Sequence, residues 1–172
     1  LKAVARGMKR WLLVVLILLA FGRGVSGLGA KSLWWDESLS LHRAQQDLPT
    51  ILSNQINLTD SIQQVITIDN HPPSYFLLLG LDVRILGKSE FALRFLSLIF
   101  AVLTVPLLYA TARRLIPRGH VAGLAAAALG SLSPMYLWYG QEARMYTMVA
   151  FLSLLSFYLY IRAFLESNRS RA

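Results

Sequence analysis

The chain has 172 residues, no cysteine and a formal net charge of +8. It is 55% hydrophobic and 15% charged, with a mean hydropathy of +0.50. This composition excludes an ordinary soluble domain, and the missing cysteines exclude a disulfide, a thiolate metal site and a thiol nucleophile.

Lys2, Arg6, Lys9 and Arg10 precede an uncharged apolar run at 11–21. Basic residues followed by an apolar stretch are the pattern of a signal peptide. The run continues to about residue 30 without an Ala-x-Ala site, so it reads as a signal anchor. It is the first span, with the N-terminus cytoplasmic. Residues 31–92 then form the long external loop. A short helix is expected at 36–46 and a second from Pro49 to about residue 55, and Asn57-Leu58-Thr59 matches a glycosylation sequon. His71-Pro72-Pro73 breaks the chain. The apolar stretch 74–87 contains Asp82 and Arg84 and is too short to cross comfortably, so it is expected to lie in the interface or re-enter.

Three further spans follow, at about 93–112, 120–138 and 143–165. The span at 120–138, the third of the chain, is rich in Ala and Gly, which favours close helix packing. The expected fold is therefore all-α integral membrane, with about four transmembrane helices plus interfacial or re-entrant helices in the first external loop.

The charges orient these elements. If 71–87 does not cross, the ends at 1–10, 112–120 and 162–172 hold ten of the 17 Lys and Arg, among them Arg118 and Arg171, against one acid, Glu166. That is a positive-inside bias. It accounts for much of the net charge as orientation charge beside anionic lipid and argues against nucleic-acid binding. It also gathers Asp36, Glu37, His71, Glu142 and Arg144 at the non-cytoplasmic face.

Three groups there have chemical potential. Asp36-Glu37 behind Trp34-Trp35 reads either as an interfacial marker with its loop acids, or as a carboxylate base or metal or sugar ligand. His71 is held extended by Pro72 and reads as an acid/base group, a metal ligand or an incidental helix start. Gln141-Glu142-Ala143-Arg144-Met145-Tyr146 opens the last span. There Glu142 suits a helix N-terminus, and the Arg144 guanidinium suits a phosphate. Tyr136, Trp138, Tyr139 and Tyr146 fit either an aromatic belt or a path for a sugar or isoprenoid.

Taken in order, the motifs are Trp-Trp-Asp-Glu at 34–37, His-Pro-Pro-Ser-Tyr-Phe-Leu-Leu-Leu at 71–79 and Ser-Glu-Phe-Ala-Leu-Arg at 89–94. Leu-Thr-Val-Pro-Leu-Leu-Tyr at 103–109, Ser133-Pro134 and the 141–146 motif complete the series. This series resembles the N-terminal part of a GT-C-fold glycosyltransferase. The group it is similar to includes the dolichyl-phosphate-mannose-protein mannosyltransferases and the lipid A aminoarabinose transferase.

The resemblance implies sugar transfer from a polyprenyl-phosphate-linked donor to a hydroxyl on a lipid, glycan or protein acceptor, at the non-cytoplasmic face of the plasma (inner) membrane. It implies Asp36, Glu37 and Glu142 as catalytic acids. His71, Arg144, Tyr146, Gln141 and Trp35 become substrate-binding residues, and Asp36 with His71 a candidate divalent-metal pair. The leaving group is already a phosphate, so no nucleotide cofactor is expected. Residues 1–172 would be the N-terminal part of a longer enzyme. The competing reading is a membrane transporter or a lipid-handling or assembly protein without catalysis. A transporter would be expected to show inverted repeats and mid-membrane helix breaks, and the sequence displays no such repeat.

Overall fold

The computed structural model describes residues 2–59, 64–117 and 119–169. Arg118 and Arg171, counted above among the orienting cations, lie outside the described residues. In chain order the elements are α1 (Lys2–Val25), α2 (Trp35–Ala44), α3 (Leu48–Leu52), β1 (Gln55–Thr59), β2 (Gln64–Ile68), α4 (Pro73–Leu86), α5 (Glu90–Leu115), α6 (Gly119–Leu132), α7 (Pro134–Gly140) and α8 (Tyr146–Arg169).

The chain is mostly helical rather than all-α. Two strands that hydropathy did not announce form an antiparallel hairpin, with Gln55 opposite Ile68 and Thr59 opposite Gln64. Val65, Ile66, Thr67 and Ile68 are β-branched and favour this conformation. Asn54, just before β1, adopts a left-handed φ of 56°, which an Asn tolerates better than most residues.

Among the described residues, two helices are long and apolar enough to cross a membrane, Glu90–Leu115 and Tyr146–Phe164. A third crossing exists if α6 and α7, bent by 56°, count as one broken span. The structure thus supports two to three spans against the four expected. Every 18-residue stretch of α1 carries at least three Lys or Arg, which keeps it from the same class. The bend corrects the continuous third span. Pro134 has no N–H and its ring clashes with a preceding turn, so α6 stops and α7 restarts. The Ser133 hydroxyl caps the new start by accepting the Tyr136 amide at 3.4 Å. Arg23 of α1 donates to the Ser131 carbonyl near the break at 2.6 Å. Close packing of α6 on α5 is visible at Gly123, where a Cβ would lie 2.8 Å from the Tyr109 carbonyl.

α4 has 14 residues and is not among the helices long and apolar enough to cross a membrane. Its Tyr75, Phe76 and Leu79 are buried with Ala44, Ile51, Leu93, Ala143 and Met148, so the segment between α1 and α5 shares one apolar core with the long apolar helices. Burial of such side chains contributes about 1.5–3 kcal/mol each. Ser97 sews this junction together. Its hydroxyl contacts the Tyr75 hydroxyl at 2.9 Å and donates to the Arg144 carbonyl at 2.9 Å, while its own carbonyl accepts from Thr147 at 2.9 Å. Buried hydroxyls need such partners, and here they fix α4, α5 and α8 against one another.

Candidate active site

The two acids of α2 face different surroundings, because successive residues on a helix diverge by about 100°. Glu37 is completely buried. Its Oε1 accepts from Arg94 Nε at 2.8 Å and from the Ala143 amide at 2.8 Å. Its Oε2 accepts from Arg94 Nη2 at 2.7 Å and from the Trp34 amide at 3.3 Å. Burial by itself would raise the Glu37 pKa, but the Arg94 and backbone hydrogen bonds more than offset it and hold the carboxyl below its ordinary range. Arg94 also donates to the carbonyls of Leu28 at 2.9 Å, Lys31 at 2.9 Å and Ser32 at 3.2 Å. Glu37 was expected beside Asp36 as a catalytic acid. Its oxygens are instead committed to joining α2, α5 and the 141–145 turn.

Asp36 is different. Its side chain is 35% exposed and its Oδ2 lies 3.7 Å from Arg144 Nη2. Arg144 Nη1 also donates to the Asp36 carbonyl at 3.4 Å. Both residues line a cavity of about 310 Å³ with Asp69, His71 and Phe76 among its walls. Arg144 is only 6% exposed, and its Nε has no hydrogen-bond partner. A buried guanidinium with a spare N–H is suited to an incoming anion.

His71 reaches this cavity through a relay absent from the sequence reading. Asp69 forms an ion pair with Arg43 and also contacts the His71 ring at Nδ1. The His71 amide donates to Asp69 Oδ1 at 3.0 Å. Burial would raise the Asp69 pKa, but the His71 hydrogen bonds and the Arg43 charge bring it below the usual value. Arg43 is wholly buried, lies 3.9 Å over the Phe76 ring, and donates to Asn54 Oδ1 at 2.7 Å. Arg43 was missed because nothing marks it locally, and Asp69 because its partner Arg43 is distant in sequence. The available signal was an acid two residues before a histidine held by proline.

Glu142 and Arg144 lie in the turn between α7 and α8 rather than in the first turn of the last helix. Glu142 faces a second cavity of about 290 Å³, which Lys31, Trp34, Arg94, Trp138 and Gln141 also line. Burial, joined by the nearby charges of Glu37 and Asp36, raises the Glu142 pKa against the pull of Trp138 and Arg144. The expected single site is therefore two chambers, and the 36–37 and 142–144 pairs each contribute to both.

The remaining expected binders divide. Trp35 is 75% exposed and lines neither chamber, whereas its neighbour Trp34 lines the second. Gln141 uses its amide nitrogen as a tether, donating to the carbonyls of Gly24 at 3.1 Å and Ser26 at 2.9 Å. Tyr146 stacks edge-on to Tyr139 at 5.0 Å and helps line a third cavity of about 260 Å³ with Tyr136 and Met135.

The Asp36 and His71 pair is a poor metal site as it stands. Among the described residues no three His, Asp or Glu converge as a metal would require. Asp69, the nearest additional carboxylate, is already engaged by Arg43 and His71, and the Arg144 guanidinium occupies the position beside Asp36 that a cation would want.

A family model described as dolichyl-phosphate-mannose-protein mannosyltransferase matches residues 70–172, which include His71, Glu142 and Arg144. No curated protein and no solved structure matches the chain. The matched segment contains both helices of spanning character and contributes to both chambers. The chain belongs to the dolichyl-phosphate-mannose-protein mannosyltransferase family and is a membrane glycosyltransferase.

Proposed function

We propose that the chain moves a sugar from a polyprenyl-phosphate-linked donor to a hydroxyl acceptor at the non-cytoplasmic face of the plasma (inner) membrane. One observation carries this reading: Asp36 and Arg144, a carboxylate and a guanidinium 3.7 Å apart, open on one cavity. Asp36 takes the proton of the acceptor hydroxyl. The oxygen attacks the anomeric carbon, and the bond from that carbon to the phosphate oxygen breaks. The phosphate departs with the electron pair, and Arg144 meets its growing charge. Attack opposite to the leaving group inverts the anomeric centre. Glu142, in the adjoining chamber, is a second acid within the same turn. No step runs through a metal.

The charge pattern supports this orientation. Lys9, Arg10, Arg113 and Arg114 belong to the ends of α1 and α5 opposite the two chambers, which supports a cytoplasmic location for those ends. With α1, α5, the bent α6–α7 pair and α8 as four crossings, the chambers lie outside, where a polyprenyl-phosphate headgroup meets a water-borne acceptor. The test is transfer by the intact protein from polyprenyl-phosphate mannose to a Ser/Thr peptide or a lipid-linked glycan. Asp36→Asn is expected to lower the rate by about 100-fold or more, the range for a positioned general base. Transfer by Asp36→Asn at the wild-type rate would overturn the assignment.

A further inference from the structure

His71 has a more exposed imidazole than a purely structural histidine requires, together with a buried support. Its side chain is 40% exposed, whereas that of Asp69 is 11% and that of Arg43 is 0% exposed. Asp69 is an ionised carboxylate beside a guanidinium and has no proton to give. In its contact with His71, the ring Nδ1 must therefore be the donor. In the ring form protonated on Nδ1 alone, Nε2 is then the free nitrogen and an acceptor. Pro72 confines the His71 backbone, and Arg43 donates both to the His71 carbonyl at 3.3 Å and to Asn54 Oδ1 at 2.7 Å. Backbone and ring are thus fixed from one buried cation, and the ring lies on the wall that Asp36 and Arg144 share.

We propose that Arg43 and Asp69 are positioning residues that hold His71 with Nε2 as the hydrogen-bond acceptor for a hydroxyl of the transferred sugar. The inference rests on the transfer reading above and adds a contact to the same cavity. A sugar bound there presents several O–H donors. Asp36 is committed to the acceptor proton and Arg144 has no acceptor atom, so neither accepts from the sugar O–H groups. A ring already fixed by a carboxylate also loses less orientational freedom on binding than a free histidine would.

The experiment has two arms on the intact protein. In the first, selective nitrogen-15 labelling of the three histidines, with His42→Gln and His120→Gln for assignment, reads the ring protonation. His71 is expected to carry its proton on Nδ1 at neutral pH, and Asp69→Asn, whose amide donates to the ring, is expected to move it to Nε2. A wild-type ring with a proton on Nε2, alone or together with Nδ1, would overturn the proposal. In the second, transfer is followed with polyprenyl-phosphate mannose as donor. Asp69→Asn and His71→Phe are expected to raise the donor KM about tenfold, the scale of one lost hydrogen bond. His71→Gln, which returns an acceptor oxygen near the Nε2 position, is expected to recover most of that loss. An unchanged donor KM in His71→Phe sinks the proposal while leaving Asp36 and Arg144 in place. A wild-type protein that transfers no sugar from any polyprenyl-phosphate donor sinks the underlying reading, and the ring measurement then stands by itself.

Discussion

Arg94 of α5 grips Glu37 of α2 through two parallel contacts, Nε to Oε1 at 2.8 Å and Nη2 to Oε2 at 2.7 Å, with both side chains buried. All five N–H bonds of the guanidinium find acceptors, three of them backbone carbonyls between Leu28 and Ser32. Such a pair is costly to bury and costlier to break, because the survivor is left charged in an apolar setting. Arg94→Met is expected to lower stability by about 3–5 kcal/mol, the range for removing one member of a buried pair. Arg94→Lys should recover only part of it, since an ammonium cannot reproduce the bidentate geometry. Denaturant melting in detergent measures this, and a wild-type midpoint for Arg94→Met would refute a structural role.

The same carboxylate makes the fold acid-sensitive. The folded pKa of Glu37 lies below its ordinary 4.5, and that of Asp69 below its ordinary 3.8. Each group therefore contributes stability that is present above its unfolded pKa and is lost as pH falls through the folded value. The melting temperature should decline below about pH 4, as the linkage for depressed carboxyls requires, while the raised pKa of Glu142 acts in the opposite sense at higher pH. Glu37→Gln starts lower and loses part of that decline. A melting temperature independent of pH down to 3 would contradict it.

These contacts show what the sequence could and could not disclose. α5 and α8 were legible because uninterrupted apolar length is a local property. The Ser133-Pro134 break was equally visible, yet hydropathy runs straight across it and masks the 56° bend. The hairpin was hidden because Gln55, Asn57 and Gln64 dilute its β-branched residues and Ile56 is its buried apolar anchor. At the site, Asp36 and Arg144 could be singled out by type. Nothing local tells Asp36 from Glu37, because the difference is Arg94, 57 residues away. Asp69 was invisible for the same reason: its meaning comes from Arg43, 26 residues earlier.

Arg144 should be the residue whose charge and shape both matter. Arg144→Lys keeps the charge but loses the fork, and Arg144→Gln loses both. Transfer should fall in that order, with the larger loss in kcat for Arg144→Gln if the guanidinium meets charge that develops as the phosphate leaves. The expected drop for Arg144→Gln is about 100-fold, comparable to removal of one preorganised donor elsewhere. Equal loss in both variants would instead indicate that only the packing at this turn matters.

Gly80 tests the seating of the loop. A Cβ on this residue of α4 would lie 2.7 Å from the Ala44 carbonyl at the end of α2. That atom is backbone and cannot swing aside, so Gly80→Ala must push the two helices apart. A cost of about 1–3 kcal/mol is expected, as for overpacking generally. The separation would also shift α2, and with it Asp36, so transfer should decline at temperatures where the variant is still folded. Full activity and wild-type melting for Gly80→Ala would mean that the close approach is not maintained.

The orientation can be tested on α5 alone, since the chain contains no cysteine to interfere. The helix has 26 residues, about 39 Å at 1.5 Å per residue, enough to put its two ends on opposite sides of a bilayer core. Lys88, just before its start, and Ile116, just after its end, are both exposed. In intact cells, Lys88→Cys is expected to react with a membrane-impermeant maleimide, whereas Ile116→Cys is expected to react only after the membrane is opened. Neither position belongs to the buried cluster that joins α4, α5 and α8, so neither substitution disturbs the packing described above. Reaction of Ile116→Cys from outside, with protection of Lys88→Cys, would invert the protein and move Asp36 and Arg144 to the cytoplasmic face. Labelling of both from outside would show that α5 does not cross.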